Sequence, residues 1–137
     1  MEATGRIPLI VALLLFSGDV TASSLEPIPY ACDEVVVVGR VRTVAYTDPT
    51  QDDDLLGHGS YSMQVRIKKV LRGKELRRVV PATGFSHAQM REDADFWMVL
   101  GRMNDDSYVI RTANLTRFPF RLARECDRHL LQVGSGP

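Results

Sequence analysis

Lysine, cysteine and long apolar stretches are all scarce in this chain of 137 residues. The longest apolar run, residues 7–16, ends at Ser17-Gly18-Asp19 with half the roughly 20 residues that a membrane-spanning helix needs, which argues against an anchored chain. An excess of charge of one sign is also missing. Seventeen basic residues meet seventeen acidic ones, so no whole-molecule field draws the protein toward nucleic acid or an anionic membrane. Aromatic residues make up 7% of the chain, and none interleaves with its most basic stretch, residues 66–78. A groove for single-stranded nucleic acid joins its cations to exposed rings for base stacking, so this composition argues against one.

What is present begins with an export signal. Arg6 precedes the apolar run, and Val20-Thr21-Ala22 places small residues where a signal peptidase cleaves. Residues 1–22 read as a signal peptide, and no cysteine follows the small-residue site to carry a lipid. The expected location is periplasmic or secreted, with no membrane span after cleavage. The preponderance of arginine over lysine suits a GC-rich bacterial genome and therefore a periplasm. Cleavage leaves about 115 residues, enough for a single core. The only cysteines, Cys32 and Cys126, are expected to pair in an oxidising compartment, and closing so long a loop restricts most of the unfolded chain.

Pro27 and Pro29 make residues 23–31 an extended leader, and residues 32–137 a single domain. Residues 34–46 open with four valines, and their β-branched density assigns a strand. Gly39 sits mid-strand, where a sharply coiled barrel strand places glycine or where a long hairpin strand carries one incidentally. Residues 48–59 form an acidic loop whose contiguous Asp52, Asp53 and Asp54 do not match the alternating ligand spacing of a Ca²⁺ loop. Tyr61, Met63, Val65 and Ile67 alternate with polar residues through Lys68 and mark a half-buried strand. Gly73 supplies a turn before residues 76–81 resume an extended pattern. Ser86 with Gln89 three residues later predicts a short helix through about Ala94. Residues 96–100 read as a buried strand, Asn104-Asp105-Asp106 as a turn, and residues 108–110 as a further strand. Leu122, Cys126 and Leu130 recur at four-residue spacing, predicting a C-terminal helix from about Pro119 with Cys126 on its inward face.

This order predicts a mainly β fold: a five-stranded OB-type Greek-key barrel with a short helix between strands three and four and a C-terminal helix. Three stretches carry a resemblance. Residues 32–41 join Cys32 to a valine-rich strand, residues 65–73 end a strand in Lys-Lys-Val-Leu-Arg-Gly, and residues 96–101 read Phe-Trp-Met-Val-Leu-Gly. Together they resemble the netrin-like OB modules and the inhibitory domain of the tissue inhibitors of metalloproteinases. The resemblance implies an OB barrel and a binding role. In those inhibitors the first cysteine holds the protease zinc through its own free amino group. Here nine residues follow the expected cleavage point before Cys32, and the dense disulfide set of the animal inhibitors is missing.

The expected function is therefore that of an exported, non-catalytic module recognising a protein or other macromolecule. Residues 66–78 hold seven basic residues against Glu75 alone, and Arg66 and Lys68, on one parity of the second strand, are the candidate partner-binding cations. The alternative is a small metal-dependent periplasmic enzyme using His58, His87 or His129 with acids such as Asp52, Asp93 or Asp105. No nucleophile occurs in a recognisable motif, and each histidine has a polar setting suited to the surface, with His129, one residue before Leu130 on the expected C-terminal helix, bordering the core. No catalytic residue, metal ligand or cofactor is assigned.

Overall fold

The structure, a computed structural model, describes residues 25–47, 59–86 and 89–130. The expected signal peptide, the acidic loop with Asp52 and His58, and His87 lie outside the described residues. The chain folds as β1 (Val35–Thr47), β2 (Gly59–Arg72), β3 (Val79–Ser86), β4 (Phe96–Arg102) and β5 (Tyr108–Leu115). These strands close into a barrel in the order β1-β2-β3-β5-β4. β1, β2 and β3 are successive antiparallel neighbours, β4 returns antiparallel to β1, and β3 meets β5 in parallel through Ala82 and Thr83. A mainly β, five-stranded barrel is thus what the strand patterns predict.

Alternating side chains fill the barrel. On β2, Met63 and Val65 are buried while Ser62, Gln64 and Arg66 are exposed. Val35, Val37 and Val41 of β1 meet them in the interior with Val80, Met98, Leu100 and Tyr108. β1 and β4 break the alternation because both of their faces are covered, the situation that yields continuous apolar runs. The outward Val36, Trp97 and Val99 pack beneath Tyr30, Ile28, Phe120 and Leu122, which form a second cluster outside the barrel. At Gly39, a Cβ atom would stand 2.3 Å from the carbonyl oxygen of Arg66. The backbones of β1 and β2 approach too closely there for any side chain.

Both expected helices are absent from the described residues. Ser86, the expected start of the first helix, ends β3, where it pairs with Gly59. Residues 89–95 hold a turn instead of a helix, with Met90 and Ala94 packed against the barrel core. Two apolar contacts in so short a segment give little to offset the cost of helix nucleation. Residues 119–130 likewise form no α-helix. The segment passes beside the leader at two isolated bridges, Ile28↔Leu122 and Ala31↔Asp127, with a bend at residues 124–125 between them. Ile28 N–H donates to Arg121 O, Ala123 N–H to Ile28 O, and Asp127 N–H to Tyr30 O. Leader and C-terminal segment satisfy each other's backbone, which a helix would have done internally. Cys32 and Cys126 are joined in a disulfide with Cα atoms 4.8 Å apart. Cys126 follows the bend, is exposed and does not face inward. The bridge ties the two-stranded strap that covers β1 and β4.

Candidate functional site

A β-bulge separates the two cations singled out in the sequence. Gly39 pairs with Ile67 and Val38 with Lys69, so Lys68 is the extra residue on β2. Lys68, the inserted residue, reaches Asp95, its Nζ 2.7 and 2.8 Å from the two carboxylate oxygens. Arg40 of β1 donates to the same carboxylate through Nε at 2.7 Å. Lys68 first, then Arg40, holds the Asp95 carboxyl below its ordinary range. Lys68 is therefore committed within the molecule. Arg66 stays on the outer face, directly across from Arg40 and adjacent to Val79, and it makes no ion pair among the described residues.

Beyond the pair Arg66↔Val79, β2 and β3 part. The Ile67 N–H still donates to Arg78 O at 2.8 Å, but β2 runs on to Arg72 alongside β1 only. Gly73, at φ 74°, turns the chain outward, where glycine carries no steric penalty. Residues 74–78 then return as a wide loop. Between loop and strand lies a groove of about 630 Å³. Ile67 and Val70, packed on the barrel core, contribute to it, and Arg66, Lys69 and Arg78 bring cations without a carboxylate partner among the described residues.

Glu75 holds that loop in shape. Its side chain is only 6% exposed and accepts from Arg77 N–H at 2.8 Å, Nε at 3.0 Å and Nη2 at 2.9 Å. The Tyr108 hydroxyl donates to the same carboxylate. Arg77 also reaches the β4–β5 connection, donating from Nη1 to Asp106 O at 3.1 Å. Arg77 foremost, with help from Tyr108 and against the opposing effect of burial, drives the Glu75 carboxyl far below its ordinary pKa. Burial and the Glu75 charge push the Tyr108 phenol up. Neither Glu75 nor Tyr108 was singled out from sequence. The available signal was the lone acid among seven cations, since an isolated acid in a basic stretch often forms an ion pair.

The acids and histidines considered for catalysis do not converge. Asp93 pairs with Arg91 on open surface, and Asp105 accepts from Ser107 N–H and hydroxyl to shape the β4–β5 turn. His129 is exposed, its N–H bonded to Asp127 at 2.7 Å, and does not border the core. Among the described residues no group of three or more His, Cys, Asp or Glu is placed to hold a metal ion. A second cavity, of about 310 Å³, opens where β3 and β5 separate and is lined by Met63, Phe96 and Ile110. Comparison with protein-family models, with curated proteins and with solved structures returns no match to this chain.

Proposed function

We propose that this protein is an exported binding module of OB type, netrin-like in character, that docks an acidic protein on the outer β1–β2 face. The OB assignment is supported by the strand order. Three consecutive antiparallel strands with a fourth returning beside the first form a Greek key, and the barrel closes through β5. Export is supported by the disulfide, which persists in oxidising compartments. The netrin-like subtype rests on the residues that carry the resemblance, with Cys32 immediately ahead of the valine-rich β1.

The observation that carries the binding role is the uneven charge of this near-neutral chain. Arg42 and Arg66 lie diagonally across the β1–β2 ladder, and Lys69 and Arg78 extend the same cationic field toward the groove. Such a surface steers an oppositely charged partner and raises association rates at low salt. Binding of a fluorescein-labelled oligo-glutamate peptide tests the reading. Anisotropy should show association at about 10 mM salt that weakens at about 100 mM, where the Debye length shrinks from about 30 to about 10 Å. Arg42→Glu with Arg66→Glu should abolish it. An absence of binding at the lower salt, or binding indifferent to both reversals, would overturn the proposal.

A further inference from the structure

We infer that the groove between β2 and the β2–β3 loop is the specificity element of this docking face, built for an extended acidic segment that also carries aliphatic side chains. The inference rests on the proposed binding role and adds to it an apolar determinant. Leu76, on the outer wall of the groove, is 83% exposed, more than any other large apolar side chain described. Its exposure is imposed by its neighbours. Glu75 is drawn inward by Arg77 and Tyr108, Arg77 is fixed in turn to Asp106, and Leu76 stands between the two clamped residues. A loop held by these bonds keeps the groove open without a partner, so little conformational entropy remains to be lost on binding.

The chemistry of the walls selects the occupant. Arg66, Lys69 and Arg78 supply cations for carboxylates, while Leu76, Val79 and the floor residues Ile67 and Val70 supply aliphatic contact. Among the described residues no aromatic side chain lines the groove, which gives bases nothing to stack on there and disfavours single-stranded nucleic acid. Along β2 the groove follows Arg66 to Val70, a length of about 17 Å that suits an extended segment of about five residues.

The test compares two labelled peptides of about ten residues, long enough to span the groove when extended, one alternating Glu and Leu and the other alternating Glu and Ser, so that both carry the same charge. The alternating peptide should bind the intact mature chain about tenfold more tightly, the increment expected from burying a leucine. Leu76→Ser, a surface change with no packing to disrupt, should remove that advantage and leave the affinity for the Glu and Ser peptide unchanged. Arg78→Glu should weaken both peptides. Equal affinity for the two peptides, or an advantage that survives Leu76→Ser, would overturn the groove inference while leaving the basic face standing. Failure of both peptides to bind would remove the binding role itself. Tighter binding of an oligothymidylate than of either peptide would reassign the groove to nucleic acid.

Discussion

Arg111 of β5 grips Glu34, the residue before β1, with Nε 2.6 Å from Oε1 and Nη2 3.0 Å from Oε2. The contact exists because of a bulge. Leu100 pairs with Ile110 and Val99 with Thr112, so Arg111 is the inserted residue and its side chain is thrown out of the barrel wall. It also donates to Pro29 O at 2.7 Å, while Glu34 accepts the Ala31 N–H at 2.6 Å. One buried carboxylate thereby joins β5, the start of β1 and the leader.

Replacing Arg111 with Ala should lower stability by about 2 to 4 kcal/mol, because it leaves a nearly buried carboxylate without its charge partner. Arg111→Lys keeps the charge but loses the two-pronged geometry and should fall between. Urea midpoints of the three proteins check the order. Equal midpoints for the wild type and Arg111→Ala would show the pair to be energetically idle.

Cys126→Ser should cost about 2 to 5 kcal/mol, since the bridge to Cys32 closes a loop over most of the chain. The loss should be local in its first effects. Trp97 lies under the strap with Phe120 at a ring separation of 5.6 Å, so loosening the strap should red-shift tryptophan emission before the barrel unfolds. Coincident loss of emission and of far-ultraviolet β signal would mean that the strap and barrel unfold as one unit.

Stability should fall on acidification in a manner traceable to Glu75. Its carboxyl has a folded pKa depressed from the ordinary 4.5, so the stabilisation it brings is fully present above that value and is lost as pH falls through the folded one. The difference in unfolding free energy between wild type and Glu75→Gln should therefore be constant near neutrality and shrink progressively below about pH 4.5. Other carboxylates titrate in both proteins and cancel in the difference. A gap that stays constant down to pH 2 would contradict the clamp.

Gly39→Ala should destabilise by about 1 to 3 kcal/mol, the usual cost of forcing atoms into a filled site. The obstacle is the backbone carbonyl of Arg66 at 2.3 Å, which has no rotamer to vary, so β1 and β2 must separate. Thermal unfolding measures the loss. An unchanged midpoint would mean that the two strands part more easily than their ladder suggests.

The barrel was legible in the sequence because its signals are local. Alternation over Tyr61 to Ile67, the valines of β1 and the Asn-Asp-Asp turn each reflect one strand's exposure or one turn's geometry, and the structure places strands and turn there. The doubled burial of Val35 to Val38 and of Phe96 to Leu100 was visible as continuous apolar sequence, though nothing local said what covers the outer face. That cover is the strap, and the spacing of Leu122, Cys126 and Leu130 predicted a helix there because periodicity registers apolar positions without knowing which backbone will be their neighbour. Once residues 28–31 lie alongside, the segment's hydrogen bonds go to them. The bulges at Lys68 and Arg111 were equally hidden. Each is a one-residue mismatch between paired strands, a property of the pair that neither strand's sequence contains. Composition and local pattern thus determined the strands and the charge available to them. Only the closed barrel decided which cations are tied to Asp95, Glu75 or Glu34 and which remain on the groove, because a side chain's partner is set by register and by the strands beside it.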